Sequence, residues 1–309
     1  MQSSILKKVI LTILLLVSAV PLSAVEFSGY LDLIASDRQG AGGNSTFSTS
    51  ELEVDIKHKF NEKYSLIGEF TVTGGGNTAL EEGYLLYNHN DNLNFKAGTI
   101  GIPLGAEAFD APDMLTTSHS LLWNYITGWS NGCLAFGKIN PVFDYNIWMT
   151  NGFGGVPTAS SADDNNNAKN YGGRIGITPL KDLTAGISYT AAKENAADTK
   201  DKLLDIDLKY VINSLTILGE YMYRKNISAD GMKYKGYMGT LSYPFTKKIT
   251  GAIRYSSVKV DNNPRLKEFT ANLSTSLIDK ISLLLEYRIN RETPKVKNNQ
   301  MSLECVAKF

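Results

Sequence analysis

Hydrophobic and polar residues alternate along much of this chain, and the stretch ELEVDIKHKF from Glu51 to Phe60 shows the pattern clearly. The apolar face consists of Leu52, Val54, Ile56 and Phe60, and the charged face of Glu51, Glu53, Asp55, Lys57 and Lys59. Because side chains in a strand alternate with a period of two, the stretch predicts an amphipathic strand. In a soluble sandwich the charged face would meet water, whereas in a membrane barrel the apolar face would meet lipid.

About sixteen segments of this kind follow one another, and most have the 9–12 residues that a tilted strand needs to cross a bilayer. They lie near residues 26–37, 47–60, 63–73, 79–89, 92–99, 129–138, 142–150, 170–178, 183–191, 202–212, 215–224, 233–243, 248–258, 267–277, 280–290 and 299–309. The pattern predicts an all-β protein with many antiparallel strands.

The connections between these segments are alternately short and long. The short ones are 61–62, 90–91, 140–141, 179–182, 213–214, 244–248 and 278–279. The long ones are 38–46, 74–78, 100–128, 151–169, 192–201, 225–232, 259–266 and 291–298. Short turns at one rim and long loops at the other are typical of outer-membrane barrels, and a soluble sandwich has no reason to sort its loops in this way.

Aromatic residues fall near both ends of the predicted strands, where they would meet the two membrane interfaces. Those near the short turns are Phe27, Phe60, Tyr64, Phe95, Phe143, Tyr210, Tyr243 and Phe309. Those near the long loops are Tyr171, Tyr189, Tyr221, Tyr223, Tyr234, Phe269 and Tyr287. With the alternating loops, these two girdles favour a transmembrane antiparallel β-barrel over a sandwich.

The first 24 residues predict a secretory signal peptide. Lys7 and Lys8 precede an apolar run, VILTILLLVSAV, which is too short for a membrane helix, and small residues at Ser23 and Ala24 offer a cleavage site. We therefore expect residues 1–24 to be a signal peptide and residues 25–309 to form the barrel.

Net charge and histidine spacing exclude several classes of function. The chain has 31 basic and 31 acidic residues, and loss of Lys7 and Lys8 leaves a net charge of −2, so no basic nucleic-acid footprint is present. His58, His89 and His119 are scattered without metal-ligand spacing. We expect no metal, no cofactor and no nucleic-acid partner.

The connection at residues 100–128 is the longest in the chain. It is too apolar for disorder, with Leu121, Leu122, Trp123, Tyr125 and Ile126 close together, and a loop of this length is usually functional. We expect it to fold onto other parts of the protein, and the barrel interior is the nearest surface.

The segment EEGYLLYNHNDNLNFKAGTIGIPLGAEAFDAPDMLTTSHSLL resembles the middle of β-barrel porins of the OmpL-like family. It carries that family's Leu-x-Phe-Lys-x-Gly, Pro-x-Gly and Ser-x-Ser-Leu-Leu elements, and FSGYLDL and MTNGF resemble its first strand and its Asn-Gly motif. The likeness spans roughly the first half of the chain. The phosphate-selective porins share the Lys-x-Gly and Pro-x-Gly layout.

The resemblance implies sixteen strands, a Gram-negative outer membrane and a third outer loop that folds into the lumen as a constriction. The candidate constriction residues are Glu107, Asp110, Asp113 and His119. The candidate pore-wall residues are Glu51, Glu53, Asp55, Lys57, Lys59, Arg174, Arg254 and Arg288. Since Ala97–Phe136 contains no Lys or Arg, it lacks the basic cluster that phosphate selection requires. The basic wall residues could instead face this acidic loop, or the acids could simply be solvated.

The C-terminal segment MSLECVAKF alternates and ends on Phe309 in the apolar face. This ending resembles the assembly signal that bacterial outer-membrane proteins present to the barrel-assembly machinery. The partners that follow are outer-membrane lipid, that machinery and small solutes, and the resemblance also suggests a homotrimer.

Catalysis is a weak alternative. Ser118-His119-Ser120, with Asp113 nearby, offers the residue types of a hydrolase, which needs a nucleophile within about 3 Å of an oriented base, but the same Ser-His-Ser triplet belongs to the family pattern. We therefore expect a porin, not an enzyme, with passive diffusion through a water-filled lumen and a weak preference for cations. The alternatives are a substrate-specific channel and a non-conducting structural or adhesive barrel.

Overall fold

The computed structural model describes residues 25–40, 43–126, 128–152, 168–194, 199–225, 232–291 and 298–309. The predicted signal peptide, residues 1–24, lies outside these ranges. The described residues form sixteen strands. They are β1 (Val25–Arg38), β2 (Ser45–Lys59), β3 (Tyr64–Thr73), β4 (Thr78–Asn90), β5 (Leu93–Gly101), β6 (Trp129–Lys138), β7 (Phe143–Thr150), β8 (Asn170–Leu180), β9 (Leu183–Glu194), β10 (Thr199–Ile212), β11 (Leu215–Lys225), β12 (Lys233–Pro244), β13 (Ile249–Val260), β14 (Leu266–Ile278), β15 (Ile281–Arg291) and β16 (Gln300–Lys308).

Each strand pairs antiparallel with its neighbours in sequence, and β1 pairs with β16 to close the barrel. The closing register places Tyr30 opposite Lys308, and the last amide, that of Phe309, donates to the Gly29 carbonyl oxygen at 3.0 Å. Closure removes every free sheet edge, as a β protein in hydrocarbon requires because no water satisfies unpaired backbone groups there. The predicted sixteen-stranded antiparallel barrel is confirmed, with strand ends within three residues of those expected.

The alternation in sequence is reproduced in the exposure of the side chains. On β12, Tyr237, Leu241 and Tyr243 are exposed, and the intervening Met238 and Thr240 are buried inside the barrel. On β2, Leu52 is exposed and Glu53 is buried. The apolar face therefore points outward and the polar face lines the interior, which is the arrangement of a membrane barrel.

Asparagine residues fix three of the short turns. The side-chain oxygen of Asn61 accepts hydrogen bonds from the amides of Lys63 and Tyr64, at 2.8 and 3.1 Å. Asn90 and Asn140 make the same pair of contacts in their own turns. Because asparagine mimics a turn of backbone in this way, it supplies a local signal for a tight connection. This is why the short connections could be recognised in the sequence.

The aromatic residues predicted for the outer-loop girdle mostly lie on the outer surface. Tyr171, Tyr189, Tyr221, Phe269 and Tyr287 are exposed there. The assignment of Tyr234 to this girdle was wrong. Tyr234 alternates with the exposed Lys233 and Lys235, so it points into the barrel, and its ring lies 4.3 Å from that of Tyr125.

Helical structure among the described residues is limited to two short 3₁₀ turns, Ala111–Asp113 and Trp123–Tyr125, both within the connection between β5 and β6. Within the residues that the structure describes, no helix is long and apolar enough to span a membrane.

A charge placed on the outer surface tests the orientation of the sheet. Ile253 lies near the middle of β13 and is exposed. We expect Ile253→Arg to lower the free energy of unfolding by about 2–4 kcal/mol, because the guanidinium would lie at the depth of the hydrocarbon centre. Urea titration of the protein folded into lipid vesicles measures the loss.

The control is Ile249→Arg, on the same face of β13 but beside the short turn, with an expected loss of about 0–1 kcal/mol. Equal losses in the two variants would contradict the proposed orientation.

Candidate functional site

The connection between β5 and β6, residues 102–128, is here called loop 3. Its first residues, Ile102 and Leu104, are buried, and so is Leu122. Leu122 belongs to one apolar cluster with the barrel-wall residues Leu203 and Val258. Burial of these side chains on the inner side of the wall attaches loop 3 to the sheet within the lumen.

Arg254 on β13 is the principal polar contact between loop 3 and the wall. Its guanidinium donates to Glu107 Oε1 at 3.1 Å and to Thr116 Oγ1 at 2.7 Å. It also donates to the side chain and carbonyl oxygen of Ser118 and to the carbonyl oxygen of His119. The Arg254 side chain is only 1% exposed. A planar group with five donors is suited to holding several loop acceptors in one position.

Further hydrogen bonds join loop 3 to the same side of the barrel. They run from Ala106 N to Glu220, from Ser118 N to Glu286, from Leu121 N to Ser256, from Asn272 to Leu115 O, and from Arg224 to Tyr125 O, over 2.9–3.3 Å. The wall partners lie on β11, β13, β14 and β15. Loop 3 is therefore fixed along β11–β15.

Four arginines that point into the lumen on this side of the barrel each lie beside a carboxylate. Arg224 Nη2 lies 2.7 Å from Asp201 Oδ2, and Arg174 Nη2 lies 2.8 Å from Asp207 Oδ1. Glu268 accepts from Arg254 at 3.2 Å, and its second oxygen lies 3.6 Å from Arg288 Nε. Pairing of this kind offsets the free-energy cost of removing these charges from water.

The opposite side of the lumen carries acids with few basic partners. Asp32, Glu51, Glu53, Asp55, Glu69, Glu81 and Glu82 lie on β1–β4, and Glu304 lies on β16. Among the described residues, the ion pairs on this part of the wall join Glu82 to Lys96 over 4.0 Å and, near the short turns, Glu26 to Lys57 over 3.3 Å. The lumen is thus divided into a side that carries the paired arginines, here called the compensated side, and a side of clustered acids with few basic partners, here called the acidic side. The compensated side also holds Asp205, whose carboxylate oxygens accept no hydrogen bond from the described residues.

Asp110 extends this acidic side from loop 3. Burial raises the pKa of its carboxyl to about 6, with further contributions from the negative charges of Asp113, Asp55, Glu51 and Glu82. Each of these effects disfavours the charged form of the Asp110 carboxyl, and three of the four contributing acids belong to the wall.

Two β-bulges shape the acidic wall. Asp32 pairs with Glu51 and Leu33 with Thr49, so Ser50 is the extra residue on β2. On β4 the extra residue is Glu81, because Glu69 pairs with Glu82 and Phe70 with Leu80. A bulge interrupts alternation and lets consecutive residues face the same side. Ser50, Glu51 and Glu81 accordingly line one cavity.

An aromatic group on loop 3 borders that cavity. The ring of Phe109 lies 4.8 Å from Trp123 and 4.9 Å from Trp129, both edge to face. The imidazole of His119 stacks on Trp123 at 3.6 Å with the planes parallel. Burial and the nearby Arg254 lower the pKa of His119 to about 3, so the ring is neutral at physiological pH. The cavity has a volume of about 790 Å³.

The arrangement of Ser118 and His119 differs from that of a hydrolase. Ser118 Oγ accepts a hydrogen bond from Arg254 at 2.9 Å, and the ring of His119 stacks on Trp123. Ser118 lies in the attachment of loop 3 to the wall.

The sequence-derived wall residues divide into three groups. Glu51, Glu53 and Asp55 lie on the acidic side. Arg174, Arg254 and Arg288 lie in the compensated side, where Arg254 contacts loop 3, Arg174 bonds to Asp207, and Arg288 bonds to Gln300 at 2.7 Å. Lys57 pairs with Glu26 over 3.3 Å, and Lys59 is exposed at the short-turn end of β2.

Sequence reasoning missed the Phe109–Trp123–Trp129 group and the Arg224–Asp201 pair. No local signal indicates the aromatic group, because its members are spread over 21 positions and meet only when the loop folds back to β6. The consecutive charged residues Glu81 and Glu82 were the available signal for the bulge on β4.

Three comparisons place these features among known proteins. A family model described as "Putative beta-barrel porin-2, OmpL-like" matches residues 53–303, so it includes the second half of the chain, where the sequence resemblance rested on alternation alone. A search of curated protein sequences finds no match.

Solved structures with the same fold include several outer-membrane proteins. OmpF of Salmonella typhi in complex with daunomycin is 11% identical with a TM-score of 0.71, over 94% of this chain and 99% of that one. An anion-selective porin from Comamonas acidovorans is 11% identical, with a TM-score of 0.70 over 92% and 99%. OmpT of Vibrio cholerae, folded in vitro in its trimer form, is 14% identical, with a TM-score of 0.69 over 92% and 99%.

Removal of the Arg254 side chain tests the attachment of loop 3. We expect Arg254→Ala to accelerate cleavage of loop 3 by chymotrypsin at least about tenfold, because Glu107 would be left buried without its cation and Thr116 and Ser118 would lose their donor. Loop 3 lacks Lys and Arg but contains Phe109, Trp123 and Tyr125, which chymotrypsin recognises.

Arg174→Ala is the matched control, since it breaks a buried arginine–carboxylate pair that does not include loop 3. Equal acceleration in both variants would show that cleavage reports general destabilisation and would contradict the attachment.

Proposed function

We propose that this chain passes small hydrophilic cations in preference to anions. It belongs to the OmpL-like family of β-barrel porins and is an outer-membrane channel for the passive diffusion of solutes. The selecting region lies between loop 3 on one side and the acidic residues of β1–β4 on the other. Selection there depends on charge and size alone, without coupling to an energy source.

The observation that carries this proposal is the cluster of acids on β1–β4, which has few basic partners and faces a side of the lumen whose four inward arginines are all engaged with carboxylates. Arg174, Arg224, Arg254 and Arg288 each lie within 4 Å of a carboxylate, so these four arginines present little net charge to a passing ion. The acids on β1–β4 are mostly unpaired among the described residues. A narrow passage lined by charge of one sign raises the local concentration of ions of the opposite sign.

The four loop residues have different roles in this proposal. Glu107 shapes the loop, because it accepts hydrogen bonds from Arg254 and from the Ser120 amide. Asp110 supplies negative charge opposite the wall. The exposed Asp113 lines a second cavity of about 220 Å³ beside Lys209, and His119 borders both cavities as a neutral ring.

The wall residues also separate by role. Glu51, Glu53 and Asp55 provide the charge of the selecting region. Arg174, Arg254 and Arg288 hold the compensated side in place, and Lys57 and Lys59 lie towards the short turns, which face the periplasm in barrels of this kind.

A non-conducting barrel is the second candidate. The observation in its favour is that loop 3 packs apolar and polar side chains against β11–β15 and separates two distinct cavities. In this case the outer loops would bind partners and the lumen would carry no current.

We also propose how the chain is exported and assembled. Residues 1–24 act as a signal peptide, and the strand ending at Phe309 is recognised by the barrel-assembly machinery before insertion into outer-membrane lipid. We further propose a homotrimer, supported by the trimer form of the similarly folded OmpT of Vibrio cholerae. Light scattering of the detergent-solubilised protein tests this, and the mass of a single chain would contradict it.

Reconstitution in a planar bilayer under a KCl gradient tests the central proposal. We expect stable conductance steps and a reversal potential of the sign that K⁺ selectivity produces. Glu51→Gln should move the reversal potential towards zero, because it removes one charge from the selecting region, whereas Glu62→Gln in a short turn should not.

A reversal potential of anionic sign would contradict the cation preference. An absence of conductance steps from correctly folded protein would favour the non-conducting barrel.

The selectivity should also depend on pH through Asp110. A carboxyl with its pKa raised to about 6 is charged above that pH and neutral below it. We therefore expect the cation-to-anion permeability ratio to fall between about pH 8 and about pH 5, and to fall less in Asp110→Asn. Reversal potentials at a series of pH values give the ratio.

Asp113→Asn, which removes an exposed carboxyl from the same loop, serves as the control and should keep the pH dependence of the wild type. Identical pH dependence in wild type and Asp110→Asn would exclude Asp110 as the titrating group.

A further inference from the structure

The cavity between loop 3 and the β1–β4 wall combines negative charge with aromatic surface. Its carboxylates are Asp32, Glu51, Glu81, Asp110 and Glu304. Its aromatic side chains are Tyr30, Phe109, Trp123, Trp129 and the neutral His119. Among the described residues that line it, none is Lys or Arg. Its volume of about 790 Å³ lies in the range of sites for small organic ligands.

Two of these carboxylates are buried without a full set of partners. Asp32 is 3% exposed and Glu304 is 2% exposed. Asp32 Oδ1 and Glu304 Oε2 accept no hydrogen bond from the described residues. Since an uncompensated buried carboxylate is costly, an arriving cation would gain more here than at a solvated surface acid. These two oxygens point to a positively charged ligand independently of the number of acids around them.

The aromatic group favours an organic cation over a metal ion. Phe109, Trp123 and Trp129 pack edge to face and form a continuous aromatic wall of the cavity. Aromatic faces attract poorly hydrated cations such as quaternary ammonium and guanidinium, for which tryptophan is the strongest partner. In the part of the chain that the structure describes, no group of three or more His, Cys, Asp or Glu is arranged to hold a metal ion.

From these observations we infer that the cavity is a binding site for small organic cations that carry an alkylated ammonium or a guanidinium group. The charged head lies towards Asp32 and Glu304, and its apolar substituents lie against Trp123 and Trp129. The inference rests on the proposed cation channel and names the class of solute that the channel would retain and pass.

Equilibrium binding to the refolded barrel in a non-ionic detergent tests the site without requiring conductance. The probe is choline, and the control ligand is neohexyl alcohol, in which a carbon atom replaces the nitrogen and removes the charge while the shape is kept. Titration is followed by calorimetry. We expect choline to bind more tightly than neohexyl alcohol.

Two variants and one control assign the binding to this cavity. Trp123→Leu should weaken choline binding by about three- to thirtyfold through loss of the aromatic face. Asp32→Asn, which keeps the shape of the side chain, should weaken choline binding and leave neohexyl alcohol unaffected. Tyr125→Leu removes an aromatic ring from the same loop but outside the cavity, where it packs on Tyr234, and should bind choline as the wild type does. Folding of each variant is checked by heat-dependent electrophoretic mobility.

The possible results separate this inference from the proposed function. Charge-dependent binding that is lost in Trp123→Leu and Asp32→Asn supports the site, even if bilayer recordings show no conductance and so exclude a channel. Equal binding of choline and neohexyl alcohol, no binding of choline, or an equal loss in Tyr125→Leu would overturn the site, and cation-selective conductance would then still support the channel.

Discussion

The internal arrangement of this barrel depends on the buried guanidinium of Arg254. A closed barrel of sixteen strands leaves an interior too wide for wall side chains alone to fill, so the lumen is shaped by whatever is attached inside it. Arg254 supplies hydrogen bonds to Glu107, Thr116, Ser118 and the His119 carbonyl, and thereby attaches loop 3 to one side. Hydrogen bonds to Glu220 and Glu286 and the burial of Leu122 against the wall reinforce this attachment.

Attachment of loop 3 to β11–β15 determines the electrostatics of the remaining space. Arg224 and Arg254 on that side are engaged with carboxylates of the wall or loop. The acids of β1–β4 face loop 3 across the remaining cavity, and Asp110 adds a further carboxyl from the loop itself. Excess negative charge is thus concentrated where solutes would pass, and the aromatic side chains of loop 3 form the boundary opposite the buried acids.

The fold could be predicted from sequence because its signals are local. A period of two in the strands and asparagine in the short turns are each read within a few residues, and they specify strand number and topology. Ser50 and Glu81 were harder, because a bulge shifts the register and consecutive polar residues do not reveal which of them is extra. Tyr234 was assigned to the outer surface because aromatic residues near strand ends usually lie there, yet its partner Tyr125 is on loop 3.

The site was less predictable because its contacts are distant in sequence. Arg254 and Glu107 are separated by 147 positions, and nothing in the sequence distinguishes Arg254 from Arg174 or Arg288 as the residue that contacts loop 3. The sequence pointed to Glu51, Glu53 and Asp55 on the wall and to three acids of loop 3, but not to Glu81 and Glu82, and it did not indicate how any acid is paired.

The central claim is that loop 3 covers the β13 wall and leaves the β2 wall open to water. Single cysteines at Glu51→Cys and Ser256→Cys, in a background with Cys133→Ser and Cys305→Ser, test it through their rates of reaction with a bulky water-soluble thiol reagent. The account predicts rapid modification at position 51 and strong protection at position 256, which lies under the Leu121 amide. Equal rates, or faster modification at position 256, would contradict it.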